Sequence, residues 1–258
     1  DTFGYKKINK ISIMQLSKDG QKVVGSKINL NCDCLGISGG WTPAVHLFTQ
    51  SGGKLKFRDE DQTFIPNTYP SDQISIGACN GDLTLDEILK NTPNSLKEFL
   101  NIKNTEYERL EILSSTNKSK RNIWLLPSNK IVGKTKSFVD YQNDATAKDI
   151  KLALREGFRS IEHVKRYTTT GMGTDQGKLG NMHALGIISD TAGAKMGELG
   201  TTTFRPPYTP LTFGTIVGRN VGEYFDTFRK TPIHDWHEEN NAEFENVGQW
   251  KRAWYYPK

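Results

Sequence analysis

The chain has 258 residues, 35% of them hydrophobic and 24% charged, with a net charge of +5 at neutral pH. That is enough for one large domain or two modest ones with real cores, and the composition fits a soluble globular protein. The mild positive charge is scattered rather than gathered into a stripe, which argues against nucleic-acid binding, and no apolar run nears the ~20 residues of a membrane helix.

The N-terminus lacks the apolar core of a signal peptide. It begins with Asp1 and enters strand-like sequence at once, as expected of a piece cut from a longer chain. From Tyr5 to about Asn91 the pattern is β-rich. KINKISIMQL and KVVGSKINLN alternate and are joined by Ser17-Lys18-Asp19-Gly20, which predicts a hairpin. The chain's three cysteines follow at Cys32, Cys34 and Cys79. An odd number clustered early excludes a disulfide scaffold and suits a reducing cytoplasm. Cys32 and Cys34 lie in an apolar run and read as buried structural thiols rather than metal ligands.

DCLGISGG then reads as a buried strand running into a double glycine, and ISIGACNG repeats the design before a short helix, LTLDEILKN. Strands that end in glycine and feed helices suit a doubly wound α/β nucleotide-binding domain. A ligand would lie near Gly39, Gly40, Gly77, Ala78 and Gly81, with a helix starting at about Thr84 offering its N-terminal dipole. Any tight strand-to-helix turn can use glycine in the same way.

Residues 92–122 are polar and weakly periodic, a helical linker with a loop around SSTNKSK. RNIWLLP follows as an expected strand, and past residue 140 the pattern turns mostly helical. Thr146 and Asp149 make a capping box for AKDIKLALREG, stopped by Gly157. Ser160 caps IEHVKRYT, which ends near Gly171. In DQGKLGNMHALGIISDTAG, Leu179, Met182, Leu185 and Ile188 form a buried stripe at helical spacing. Three prolines keep TTTFRPPYTP out of helix, with Pro206-Pro207 forcing an extended shape ahead of Tyr208. A further apolar helix, LTFGTIVGR, follows.

The densest chemistry is Glu162 to Lys178, EHVKRYTTTGMGTDQGK. Lys165, Arg166, Lys178 and four threonines (Thr168, Thr169, Thr170, Thr174) surround glycines at 171, 173 and 177. Hydroxyls, fixed cations and glycines are what an anionic ligand or a close partner surface requires. A glycine-stopped helix running into a polar loop accounts for the same letters. The spacing G-x-G-x-x-x-G is one residue too long for the dinucleotide fingerprint. His234 and His237 share a helix face at i and i+3, but no third ligand stands near, so they read as structural or interface residues. Glu162 and His163, adjacent on a helix, point apart and make no acid–base pair. Trp236, Trp250, Trp254, Tyr255 and Tyr256 form an aromatic-rich end expected to be partly exposed, and no G-x-S-x-G motif supports Ser–His–Asp chemistry.

FVDYQNDATAKDIKLALREGFRSIEHVKRYTTTGMGTDQGK, GTTTFRPPYTPLTFG, TPIHDWHE and FENVGQWKRAWYYP resemble the α subunit of heterotetrameric sarcosine oxidase, as do the earlier ISGGWTPAVHLFTQSGGKLKF and GACNGDLTL. The resemblance covers nearly the whole chain outside 92–122. It implies the end of a doubly wound dinucleotide-binding domain over 1–91, a linker over 92–135, a mostly α-helical middle domain over 136–230, and the start of an α+β aminomethyltransferase-like folate domain over 231–258. It implies oxidative demethylation of sarcosine to glycine, with H2O2 formation and one-carbon transfer to tetrahydrofolate. FAD and FMN would lie in the β subunit or at its boundary with this one, and smaller subunits would complete a heterotetramer. NAD, without redox turnover, would sit against Gly39, Gly40, Trp41 and Thr42 at the first turn, and Gly77, Ala78, Gly81, Leu83 and Leu85 at the second. The piece alone would lack the chemistry. Alternatives are an α-like subunit of an N-methylglutamate or dimethylglycine dehydrogenase, or a non-catalytic assembly module.

The middle domain also resembles the small cluster-binding domain of related amine and opine dehydrogenases, where four cysteines hold a [2Fe–2S] centre. The corresponding positions here are Asp140, Gln142, Asp175 and Gly180, and the region contains no cysteine. Such clusters depend on thiolates. The resemblance therefore implies the scaffold without the cluster, and a polar pocket by Lys165, Arg166, Thr168, Thr169 and Lys178 that meets an FMN phosphate or the partner subunit.

Overall fold

A computed structural model describes residues 1–70, 72–103, 112, 123–128, 135–219, 222 and 227–258. They fall into two compact units, Asp1–Pro210 and Leu211–Lys258.

The first unit opens with a three-stranded sheet of β1 (Thr2–Gly4), β2 (Ile8–Leu16) and β3 (Val23–Asn31), in that order. β2 and β3 form the expected hairpin, pairing Ile11 with Leu30 and Ile13 with Ile28. Its turn is closed by the Ser17 hydroxyl, which accepts from the Lys22 backbone at 3.0 Å. A short helix α1 (His46–Gln50) leads to a second hairpin, β4 (Lys54–Arg58) with β5 (Thr63–Thr68). Helix α2 (Leu85–Leu100) starts where the sequence places it. Thr84 accepts from Glu87 N, and Glu87 reaches back to Thr84 N. This reciprocal cap satisfies two donors that the first turn leaves open. The helix runs further than LTLDEILKN, carrying Pro93 inside it.

The third sheet, β6 (Phe138–Asp140) with β7 (Ala145–Thr146), delivers the chain into α3 (Ala147–Arg155), α4 (Ile161–Thr168), α5 (Asn181–Ala192) and α6 (Met196–Leu199). The expected cap on α3 is present, with Asp149 Oδ2 accepting from Thr146 N at 2.8 Å and from Thr146 Oγ1 at 2.6 Å. The hydroxyl bond is the main reason the Asp149 carboxyl titrates below its ordinary range. Ser160 stands at the N-cap of α4 but makes no side-chain capping bond. Ile150, Leu154, Val164, Leu185 and Ile188 close the core between these helices, joined by Phe64 from β5. Leu185 and Ile188 belong to the stripe read from the sequence, and Met182 packs against it. Leu179 precedes the helix and is 73% exposed. Residues 200–210 form no helix, as their prolines require, and the Pro206-Pro207 peptide is cis.

The second unit holds α7 (Phe213–Val217), α8 (His234–Glu239) and a hairpin of β8 (Glu243–Val247) with β9 (Trp250–Tyr255). Its tryptophans and C-terminal tyrosines are exposed, Trp254 most of all at 67%.

The mixed α/β content is as expected. Pairing between the named strands is antiparallel throughout, so the described residues contain no doubly wound parallel sheet. Neither glycine-ended strand forms. Residues 33–44 join no sheet among the described residues, and Ile37 is 80% exposed. Ile74–Ile76 run directly into a 3-10 turn at Gly77–Asn80. Apolar runs of that length suit a strand only where a neighbouring backbone accepts their hydrogen bonds. The last ladder bond here, Cys32 N to Asn9 O, ends before DCLGISGG begins. Cys34 is exposed and Cys32 half-buried, so the expectation of buried thiols is corrected with the same cause. The expected loop SSTNKSK lies outside the described residues. The described part of RNIWLLP is not a strand; its Trp124 instead packs edge-on to His183, with ring centroids 6.1 Å apart.

Candidate functional site

The polar stretch singled out in the sequence forms the end of α4 and a loop, 169–180, gripped on two sides. On one side stands the turn after β6. Asp140 is 5% exposed and ends that strand. Its Oδ1 accepts from Gln142 N and Asn143 N, both at 2.9 Å, and its Oδ2 accepts from Gly171 N at 2.7 Å. One carboxylate thus satisfies three backbone donors across a separation of 31 residues. Gln142 adds a second stitch, Nε2 donating to Thr174 Oγ1 at 3.0 Å and Oε1 accepting from Asp175 N at 3.4 Å. Asp175 in turn accepts from Gly177 N at 3.0 Å. At Gly180 a Cβ would fall inside the contact distance of the Val139 carbonyl oxygen, so only glycine lets the two backbones meet.

The four positions that the resemblance sets against cluster thiolates, 140, 142, 175 and 180, lie along one seam. Here they carry two carboxylates, an amide and a hydrogen, and the polar ones are turned onto the backbone. The seam supplies no thiolate, so an iron–sulfur cluster does not fit it. Among the described residues no three His, Cys, Asp or Glu side chains group as a metal site.

On the other side the loop holds the strap 202–208. Asn181 Nδ2 donates to Gln176 O at 3.0 Å and to Thr202 Oγ1 at 3.1 Å. The Gln176 side chain pairs with the Arg205 backbone in both directions, 2.7 Å each way, and also reaches Pro207 O at 3.1 Å. Lys178 donates to Tyr208 O and places its ammonium 3.9 Å from the centre of the Tyr208 ring. Behind the strap, His46 packs edge-on against Phe204 at 3.9 Å and Tyr208 at 5.2 Å. It is 8% exposed, and its Nδ1 is buried with no partner among the described residues.

Burial, helped by the nearby Lys178 charge, lowers the His46 pKa from 6.5 to about 4. Folding therefore favours the neutral ring, and the unfolded chain binds more protons between those values. The stability this ring contributes is whole above pH 6.5 and is lost as pH falls toward about 4. We expect urea unfolding of the wild-type chain to weaken more over that window than unfolding of His46→Leu. Parallel pH profiles would contradict this.

The remaining sequence-selected groups are mostly engaged locally. Arg166 Nη1 donates to Glu162 O at 2.8 Å and to Glu162 Oε2 at 2.7 Å. Thr168 Oγ1 donates to Val164 O and meets Thr170 Oγ1, each at 2.8 Å, and Thr169 Oγ1 donates to Thr168 O at 2.6 Å. Lys165, in the last turn of α4, makes no ion pair among the described residues.

The two glycine turns are not brought together by shared neighbours. Gly39, Gly40, Trp41 and Thr42 are exposed, with His183 beside Gly39. The second turn is locked from within. Arg58 Nη2 donates to Gly81 O at 2.8 Å, Arg58 binds Asp61, and a Cβ on Gly81 would stand 2.7 Å from Arg58 Nη2. Gly77 is buried, Ala78 exposed, Leu83 half-buried and Leu85 62% exposed. The start of α2 carries Asp86 and Glu87, and its Glu87 N is bonded to Thr84. A pyrophosphate does not suit a helix end so capped and so charged. In the second unit, His234 is 4% exposed and stacks on Phe244 at 4.6 Å, while His237 meets the Tyr256 hydroxyl.

Sequence reasoning missed His46, Gln176, Asn181 and the strap they hold. The apolar run around His46, WTPAVHLF, signals its burial; nothing local signals that Gln176 reaches a segment 29 residues away.

Residues 134–219, which contain the seam and the strap, match the sarcosine oxidase A3 domain. The chain is 35% identical to the α subunit of sarcosine oxidase from Corynebacterium sp. (strain P-1), over 97% of its own length and 26% of that protein. It is 36% identical to the α subunit of the Rhizobium meliloti (strain 1021) enzyme, over 88% of this chain and 23% of the relative. A shorter match, 33% identical over 28% of this chain and 16% of the relative, joins it to the A subunit of opine oxidase from the latter organism. The chain therefore belongs to the sarcosine oxidase α-subunit family: it carries that family's A3 domain and follows the α sequences over nearly all of its own length. It spans about a quarter of the length of the α subunits it matches. A crystal structure of L-proline dehydrogenase from P. horikoshii aligns with a TM-score of 0.51 at 21% identity, covering 85% of this chain and 44% of that one. That likeness is one of fold and agrees with the mixed α/β content.

Proposed function

We propose that the chain works as part of the α subunit of a sarcosine oxidase-like flavoenzyme, which oxidatively demethylates sarcosine to glycine. The observation that carries this reading is 35% identity to such an α chain over 97% of the sequence. FAD and FMN would supply the redox chemistry from the partner chain and its boundary with this one, and tetrahydrofolate would accept the one-carbon unit. This chain's own residues hold surfaces. The Asp140 seam fixes loop 169–180, Gln176, Asn181 and Lys178 fix the strap, and the outer turns of α4 carrying Lys165 and Arg166 face outward toward the flavin edge or the subunit that holds it. Lys178 donates to Tyr208, so Lys165 is the better donor for an FMN phosphate. For NAD the exposed turn Gly39–Thr42 is the proposed contact, and the α2 helix start contributes nothing to phosphate binding.

The match to the opine oxidase chain favours a second reading, in which the same scaffold serves a complex that oxidises a different N-substituted amino acid, such as N-methylglutamate or dimethylglycine. The test is turnover by the full-length protein co-expressed with its flavoprotein partner, across a panel of N-methyl amino acids. Sarcosine-dependent H2O2 and glycine formation supports the first reading. Turnover of another member alone moves the assignment to the second, and an assembled complex that oxidises none of them sinks both.

A further inference from the structure

Beside the seam, on the outer side of α4, lies a feature that neither the core nor the strap uses. Phe158, His163, Arg166 and Tyr167 line a shallow, open cavity of about 330 Å3. Its floor is a pair of aromatic rings, Phe158 and Tyr167, with centroids 4.7 Å apart and planes inclined by 42°. Phe158 is anchored from below by packing against the buried cluster, while Tyr167 is 46% exposed. The inward face of α4 is already filled by Ile161 and Val164, so the aromatic floor is not a slipped part of the core.

Arg166 is the cation on its wall, and the surrounding stretch of sequence carries more. Residues 155–166 carry Arg155, Arg159, Lys165 and Arg166 against Glu156 and Glu162. Glu162 is bonded by Arg166 through Nη1 alone, which holds the guanidinium in place, and its Nε and Nη2 make no hydrogen bond among the described residues. A rigid aromatic floor beside a pre-oriented arginine is the composition of an interface hot spot, where Tyr and Arg are enriched. A planar guanidinium with a free edge receives a carboxylate in a defined geometry.

We infer that this shelf docks an acidic segment of the flavin-carrying partner, which seats one apolar side chain on Phe158 and Tyr167 and a carboxylate on Arg166. The inference rests on the proposed assembly with that flavoprotein, and it adds the surface and the chemistry of the contact. The open edge of Arg166, in a stretch with more cations than carboxylates, selects an acidic segment over a basic one, and the cavity has room for a single large side chain.

The test is equilibrium binding of the full-length protein to its flavoprotein partner at two salt concentrations, for wild type, Tyr167→Ala and Arg166→Glu. Both side chains are at least 46% exposed, so both variants should stay folded, with only a small drop in thermal melt from the lost Glu162 pair and ring contact, checked on the free protein. Expected are a loss of about tenfold for Tyr167→Ala and about thirtyfold or more for Arg166→Glu, magnitudes typical of hot-spot residues. Wild-type affinity should fall with salt, and Arg166→Glu should flatten or reverse that dependence. Wild-type affinity in both variants, or equal salt dependence in all three, overturns the shelf while leaving the assembly standing. If wild type itself does not bind, the assembly reading falls, and the docking with it. If the variants lose bound flavin but keep the partner, the shelf is a ligand site and the docking assignment is wrong.

Discussion

Asp140→Ala should destabilise the chain by about 3–5 kcal/mol, because it removes the one acceptor for three backbone donors, one of them buried and two part-buried. Gln142 N, Asn143 N and Gly171 N all point at its two oxygens within 2.9 Å. Bonds to a charged group are individually worth about 1.5–3 kcal/mol and do not add fully, since the turn and the loop relax together. Asp140→Asn separates charge from geometry. Its amide can still accept from the turn donors, but its NH2 group would face the Gly171 N–H. Asn should therefore fall between Asp and Ala in urea midpoint, and proteolysis of both variants should open first in loop 169–180. An Ala variant within about 1 kcal/mol of wild type would mean that the seam does not hold the loop.

Gly180→Ala comes second, at about 3 kcal/mol, near the upper end of what overpacking costs. Gly180 has φ −104° and ψ −23°, which alanine adopts freely, so the penalty is steric. The new methyl would press on the Val139 carbonyl oxygen, which is backbone and cannot rotate away. Gly36→Ala is the matched control. No atom lies within 4 Å of its added Cβ and its φ is not positive, so its unfolding midpoint should move by less than about 0.5 kcal/mol. Equal effects at the two glycines would rule out the close approach as the cause.

What the sequence made legible was what is decided locally. The Thr146–Asp149 box and the helix start at about Thr84 are set within one helical turn, the Ser17–Gly20 turn over four residues, and the Leu185–Ile188 stripe over one face of a helix. These letters specify their structures whatever surrounds them. DCLGISGG failed because a strand is a property of two segments, and among the described residues no second strand pairs with it. Its pattern could be read correctly and still not form a ladder. Glu162 to Lys178 was legible as unusual but not as to purpose. Its hydroxyls and cations resemble those of an anion site, yet Thr168, Thr169, Arg166 and Lys178 find partners inside the chain. Asp140 and Gln142 could be singled out only through the resemblance to cluster-binding relatives. Their contacts to Gly171, Thr174 and Asp175 span about 30 residues. His46 carried no motif at all, and its altered titration follows from a strap more than 150 residues further along.

The central claim is that a cluster-type scaffold, stitched by side chains where thiolates would stand, serves the α chain of a flavoenzyme. The most direct measurement is the mass and cofactor content of the full-length protein purified after co-expression with its flavoprotein partner. The expected result is one stable complex that retains flavin and NAD and contains neither iron nor acid-labile sulfide assignable to this chain. A protein that stays monomeric and nucleotide-free in the presence of that partner, or one that carries stoichiometric iron and sulfide in this domain, would contradict the claim.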